Sequence, residues 1–200
     1  MPRKKKAQTE IILPDKLFTE ILVELEIERI AGGEPGVSIN EQGEPVEPKF
    51  QNNVFRLKED GNRVLFEEKH VKGLLKETAR ILGLSKSVKG LLFKLRHALS
   101  MVPTEIYIPA GTEVYGRPIP VLLGDRVSIT FTEVIEKPIK VSFKLRIPNT
   151  VVEEGGQLKA VPVIDPELLR KLFEVGQNVG IGAKRSLGYG KYKLLKFEVV

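Results

Sequence analysis

The chain has 200 residues, a formal net charge of +6, 42% hydrophobic residues and 29% charged residues. It contains no cysteine, which excludes disulfides and thiolate metal sites, and its two histidines, His70 and His97, are too few for a histidine-rich metal site. No apolar run approaches the ~18 residues of a membrane span, and no secretory signal is recognisable. We therefore expect a soluble cytoplasmic protein that needs no cofactor or metal and makes no membrane contact.

The first elements are predicted from composition and periodicity. Residues 1–9 include the run PRKKK and are expected to form a disordered basic arm, so that residues 10–200 make a single domain. Apolar and acidic residues alternate over residues 23–28, which predicts a half-buried strand. Glycine, proline and glutamate then predict an insertion near 31–68, which ends in a hairpin turning near Asp60-Gly61.

From residue 69 onward the apolar residues recur with the period of a helix. Apolar residues and Thr78 share one arc, and basic residues share the opposite one. The apolar arc contains Val71, Leu74, Leu75, Thr78, Ile81 and Leu82, and the basic arc contains Lys69, Lys72, Lys76 and Arg80. Gly83 is placed to end this helix, and a second helix is predicted over roughly 86–100. Residues 69–97 hold eight Lys or Arg against one acid, Glu77, which favours a polyanionic partner.

The remaining elements complete a fold. A further insertion is predicted near 103–124, and residues 125–136 and 137–148 read as two strands joined at Lys137-Pro138. Asp165 as N-cap and Pro166 as first helical residue predict a helix to Gly176, and a last strand ends the chain. The order βαββαβ predicts an α+β ferredoxin-like (RRM-like) fold, an antiparallel sheet with helices on one face and with loop or hairpin insertions.

The segment GQNVGIGAKRSLGYGKYK, residues 176–193, is rich in glycine and free of acids. It lacks the Rossmann spacing, because Arg185 stands where the third glycine belongs, and it lacks the Walker spacing, because Leu187 replaces the second. What it contains is G-I-G-x5-G-Y-G, with cations at its centre and exit. Exposed main-chain amides of such a loop can hold the phosphates of a nucleic acid, although a merely structural turn with solvated lysines remains the alternative.

Two stretches carry a resemblance. The ending PELLRKLFEVGQNVGIGAKRSLGYGKYKLLKFE resembles the C-terminal signature of the RAMP superfamily of CRISPR-associated RNA-binding proteins, in which a helix leads into a glycine-rich loop and then the last strand. The stretch EEKHVKGLLKETARIL resembles the lysine-glycine-aliphatic opening of the first helix in RAMP backbone subunits, without their usual small hydroxyl residue before the lysine.

The resemblance implies a function and a site. It implies an RNA-binding subunit of a CRISPR-type ribonucleoprotein that holds single-stranded guide RNA by its phosphate backbone, oligomerises along it and contacts other subunits. One insertion would act as a thumb against the RNA and a neighbour. The implied RNA-binding residues are Lys69, Lys72, Lys76, Arg80, Gly180, Gly182, Lys184, Arg185, Gly188, Gly190 and Lys191.

Two other functions stay open. One is a metal-independent endoribonuclease that processes precursor guide RNA, in which His70 or His97 would be the general acid or base. The other is a structural or assembly module that binds no nucleic acid. The sequence favours a non-catalytic protein, because the loop after the first strand offers glutamates but no aspartate for the target-RNA cleavage that some backbone subunits perform. Stacking of bases is open to few residues; the candidates are Tyr107, Tyr115 and Tyr189.

Overall fold

A computed structural model describes residues 16–35, 38–39, 42, 45–46, 53–123 and 126–200. The predicted basic arm at 1–9 lies outside these residues. The strands are β1 (Phe18–Ile27), β2 (Ile30–Ala31), β3 (Glu34–Pro35), β4 (Ser38–Ile39), β5 (Pro45–Val46), β6 (Asn53–Val54), β7 (Val64–Glu67), β8 (Ser100–Val102), β9 (Glu105–Tyr107), β10 (Tyr115–Leu123), β11 (Arg126–Ile135), β12 (Ile139–Glu154), β13 (Gln157–Pro162) and β14 (Tyr192–Val199). The helices are α1 (Glu68–Ile81), α2 (Leu84–Ser87), α3 (Leu91–His97) and α4 (Pro166–Val179).

The main sheet has the strand order β14–β1–β12–β8, and every pair in it is antiparallel. Helix α1 comes between β1 and β8 in the chain, and α4 comes between β12 and β14. This is the βαββαβ topology, so the predicted ferredoxin-like α+β fold is confirmed. Strand β13 extends the sheet by pairing with the far half of β12.

The two long helices lie on one face of this sheet and bury the predicted core. From Ile21 to Ile27 every second residue of β1 is fully buried, as the alternation predicted. The ring of Phe143 on β12 meets Phe66 at 6.1 Å and Phe173 of α4 at 6.5 Å between centroids. Helix α4 begins as predicted, with the Asp165 carboxylate accepting the amide hydrogen of Glu167, but it continues past Gly176 to Val179.

A second sheet has the order β10–β11–β6–β3, with β2 paired to β11. The predicted insertions near 31–68 and 103–124 contribute its strands β2, β3, β6 and β10. Strands β11 and β12 follow each other at Lys137-Pro138 as predicted, yet they belong to different sheets. The second strand of the ferredoxin-like core is instead the three-residue β8, which is too short to show a period of its own.

Two details of the helical region differ from the prediction. Ile81 and Leu82, assigned to the apolar arc, are 62% and 43% exposed, because α1 ends there and turns at Gly83 with φ +70°. The second helix is broken into α2 and α3 by Gly90, whose φ of +72° is left-handed. The break leaves Leu91 and Leu95 turned into the core. In the described part of the chain, no helix is both long and apolar enough to span a membrane.

Candidate nucleic-acid interface

The glycine-rich loop is closed at its base by main-chain contacts. The amide of Ile181 donates to the carbonyl of Gly190 at 2.9 Å, and the amide of Gly190 donates to the carbonyl of Arg29 at 2.7 Å. The two loop ends approach so closely that a Cβ on Gly190 would overlap the carbonyl oxygen of Ile181 and lie 2.8 Å from its carbonyl carbon. The outer glycines, Gly180 and Gly190, therefore serve close backbone packing, and Ile181 is fully buried between them.

The centre of the loop has the opposite character. A 3₁₀ turn over Arg185–Leu187 follows Lys184, whose φ of +53° is left-handed. Hydrogen bonds within the loop join Leu187 to Lys184 and Gly188 to Arg185. The amides of residues 182–186 donate to no acceptor among the described residues. Successive free amides around a left-handed residue form a concave donor surface of the kind that binds anions.

Arg29, two residues after β1, contacts the loop through its side chain and is not among the site residues predicted from the sequence. Its guanidinium lies 4.7 Å from the centre of the Tyr189 ring and donates to the carbonyl of Leu187 at 3.2 Å. Tyr189 is buried, and its hydroxyl donates to Glu136 at 3.5 Å. Tyr189 is thus a packing residue and not a free stacking surface. The signal in the sequence was a lone arginine directly after a strand of alternating acids.

One cation of the loop is paired, and two are not. Arg185 forms an ion pair of 2.5 Å with Glu77 of α1, which ties the loop to that helix. Lys184 and Lys191 have no carboxylate within ion-pair distance among the described residues, and Lys191 is exposed at the start of β14. The loop centre therefore keeps a free positive charge next to its free amides.

The first two lysines of α1 are paired within the protein. Lys69 bonds to Glu34 at 3.0 Å and to Glu67 at 3.3 Å, and the bond to Glu34 raises the pKa of Lys69. Lys72 pairs with Glu68 at 2.5 Å and is mostly buried. At ~100° per residue, Lys72 lies about 140° around the helix from Glu77, which is about 40° farther than Lys76 in the same direction.

The next two basic residues of α1 are free. Arg80 and Lys76 lie about 60° and 100° around the axis from Glu77, on the outward face of the helix. Neither has a carboxylate within ion-pair distance in the described part of the chain. The free cations Lys76, Arg80 and Lys184, together with the free amides of residues 182–186, are named the loop–helix surface below.

The two histidines lie apart and have different surroundings. His70 accepts the amide hydrogen of Glu67 at its Nδ1, at 2.9 Å, and so completes a capping box at the start of α1. Burial lowers the pKa of His70, and Lys69 adds to this. His97 is exposed at the end of α3, and its ring lies against that of Phe93 in a tilted arrangement with 4.5 Å between ring centres. Within the described ranges, no three His, Asp or Glu side chains cluster closely enough to hold a metal ion.

Comparison with known proteins gives a fold neighbour. No protein-family model matches the chain, and no curated protein matches it significantly. A chain in the cryo-EM structure of the Type III-B Cmr-beta bound to cognate target RNA is similar to it, with a TM-score of 0.54 and 13% sequence identity. The match covers 92% of this chain and 61% of that one, so the protein spans less than two thirds of its neighbour. At this identity the similarity is one of fold.

The open face of the main sheet, opposite the helices, is a second place where a fold of this type could bind a ligand. Its charges nearly balance, because Glu20, Glu24, Glu26 and Glu198 lie there among Lys140, Lys144, Arg146, Lys193 and Lys196. Glu20 of β1 pairs with Arg146 at 2.7 Å and with Lys144 at 3.1 Å, and Glu26 has Lys140 at 3.9 Å and Lys193 at 4.0 Å. The basic residues of this face are therefore largely neutralised, unlike those of the loop–helix surface.

Proposed function

We propose that the protein is an RNA-binding subunit of a CRISPR-type ribonucleoprotein of the RAMP kind, which holds guide RNA through its phosphate backbone at the loop–helix surface. The observation that carries the proposal is the run of five amides at residues 182–186, which have no acceptor among the described residues, beside three cations that have no carboxylate partner there. Free amides and unpaired cations on a surface bind phosphate oxygens without reading bases.

The shape of the loop explains how backbone binding would work. The tight base holds the loop in one conformation, so the amides need little ordering when a phosphate arrives. Lys184, which is left-handed, lies at the centre of the donor surface, and Arg185 anchors the loop to α1 through Glu77. The cations Arg80 and Lys76 then extend the positive surface along the outward face of the helix. Consecutive phosphates of one strand could occupy the loop and the helix.

The fold neighbour supports this proposal in a coarser way. That structure is of a Type III-B Cmr-beta bound to target RNA, which favours an RNA-binding role and further subunits as partners. The chain also exposes an apolar row on β11, where Val127, Ile129 and Phe131 are 70%, 61% and 50% exposed. A row of this kind suits contact with a neighbouring subunit along the RNA. Sedimentation with RNA of doubled length should then show a second copy bound.

The test of the site is a pair of triple variants that remove the same charge. Lys76→Gln/Arg80→Gln/Lys184→Gly removes the three cations of the loop–helix surface, and glycine at 184 relieves the left-handed backbone. The control Lys140→Gln/Lys144→Gln/Arg146→Gln removes three paired cations from the open face. Binding of single-stranded RNA is followed by fluorescence anisotropy over a range of salt concentrations.

For single strands each phosphate contact contributes about 0.7 to the slope of log K against log salt. The loop–helix triple should therefore lower the slope by about 2, whereas the control should leave it near that of the parent protein. Equal slopes in the two triples would show that the loop–helix surface is not the site. A parent protein that does not bind single-stranded RNA would refute the function itself.

A further inference from the structure

The region after Arg80 is unusual in its charge. Residues 78–104 contain no aspartate or glutamate. Beyond Arg80 this stretch carries four more cations, all exposed: Lys86, Lys89, Lys94 and Arg96. None of them forms an ion pair with another described residue. The loop–helix surface is therefore continued, along the chain, by a segment of unpaired positive charge on α2 and α3.

An aromatic residue lies in the middle of this charge. Helix α3 buries Leu91 and Leu95, and at ~100° per residue Phe93 falls opposite them. Phe93 is 68% exposed, and His97, one turn later, lies against its ring with 40° between the ring planes. A large apolar ring held outward among cations loses the hydrophobic stabilisation that burial would give it. Contact with a flat ligand would recover that stabilisation.

We propose that the outward face of α3, centred on Phe93, is a stacking site for an unpaired base of a single-stranded nucleic acid. This rests on the proposed function and extends it, because the strand whose phosphates occupy Arg80 and the loop would continue over α2 and α3. Bases stack on aromatic rings without regard to sequence, and cations beside the ring hold the phosphates on either side. The site thus combines the two elements of sequence-independent binding to single strands.

The structure favours this occupant over an anionic membrane. A helix that lies in a membrane interface buries a broad apolar face, but the outward side of α3 presents Phe93 flanked by Arg96 and Lys94. Tyr107 and Tyr115, the stacking candidates that remain after Tyr189, each donate their hydroxyl to a nearby carboxylate, which places negative charge beside the ring. Phe93, by contrast, is exposed in a stretch of the chain that has cations and no acids.

The experiment distinguishes binding of the nucleic-acid bases from binding of the sugar-phosphate backbone. Binding of oligouridine and of an abasic ribose-phosphate chain of the same length is measured for the parent, for Phe93→Leu and for the control Phe18→Leu. Phe18 is 46% exposed at the start of β1, and leucine keeps both positions apolar. Because stacking on an aromatic ring is worth ~1–3 kcal/mol per base, Phe93→Leu should weaken oligouridine binding about fivefold or more and leave abasic binding unchanged. Phe18→Leu should change neither by more than about twofold.

Each other result has a definite meaning. If Phe93→Leu binds both ligands as the parent does, there is no stacking site, although the proposed function stands while the parent binds RNA. If Phe93→Leu weakens both ligands equally, the ring does not contact a base. If it instead abolishes binding to phosphatidylserine vesicles while leaving oligouridine binding intact, the face is a membrane site. A parent that binds neither chain refutes both the inference and the proposed function.

Discussion

Substituting Gly190 by alanine tests the claim that the loop is held by its own backbone. Gly190 has φ +79°, and a Cβ there would overlap the carbonyl oxygen of Ile181. A left-handed non-glycine residue costs roughly 1–2 kcal/mol. Relief of the overlap requires the strands at the loop base to separate, which breaks the hydrogen bonds of Gly190 to Ile181 and Arg29, at about 1 kcal/mol each. The free energy of unfolding should therefore fall by about 3–4 kcal/mol.

The assay is urea denaturation followed by far-ultraviolet circular dichroism, since the chain has no tryptophan. Gly73→Ala is the control, because Gly73 lies in the interior of α1 with open space around its Cβ position. Alanine is the better helix former, so this variant should gain up to about 1 kcal/mol. A Gly190→Ala protein within about 0.5 kcal/mol of the parent would refute the reasoning, because the loop base would then be able to open without cost.

Three further predictions concern individual side chains. Hydrogen bonds from Lys58 and Arg56 lower the pKa of Glu105 to about 2, so its stabilising effect is present above the unfolded-state value of 4.5 and is lost as the pH falls towards 2. Glu105→Gln should flatten the fall of the thermal midpoint over that range. Burial lowers the pKa of His70 below 6.5, so neutral His70 favours folding above that pH and the benefit is lost on acidification. His70→Gln keeps a capping side chain and should remove the change in midpoint between about pH 7 and 5. The buried hydroxyl of Tyr192 donates to a main-chain carbonyl at 2.7 Å, and Tyr192→Phe should cost about 1–2 kcal/mol in urea denaturation.

The α+β fold could be predicted from the sequence because apolar residues recur with a clear period in the long strands and helices. The alternation in β1 and the capping residues of α4, Asp165 and Pro166, follow from local rules that tertiary contacts did not override. Pairing between strands was harder to predict. Strand β8 has three residues, and β11 is as regular as β12, so nothing in their own sequences assigns β8 to the main sheet and β11 to the second.

The candidate site was predicted only in part for a similar reason. The glycine spacing indicated a special loop, but it could not separate glycines that allow close packing, such as Gly190, from residues that expose amides. In the structure the amides at the centre of the loop have no acceptor among the described residues, and the closest backbone packing lies at its ends. Arg29 was missed because its partner Tyr189 lies far away in the chain, and a cation–π contact leaves no local pattern.

Counting charges along the chain cannot show which cations are free to bind a phosphate, because ion pairs form between residues that are distant in the sequence. Lys193 and Lys196 belong to an acid-free segment, yet Lys193 has Glu26 at 4.0 Å and Lys196 has Glu198 at 2.9 Å in the folded protein. A paired cation attracts a phosphate weakly, because its field is largely cancelled and its hydrogen bonds must first be exchanged. Among the described residues, cations without an ion-pair partner include Lys76 and Arg80 on α1, Lys184 in the loop centre, and Lys94 and Arg96 on α3. Under the proposed function, a polyanion would therefore bind on the helical side of the fold and not on the sheet face that an RRM-like protein would use for stacking.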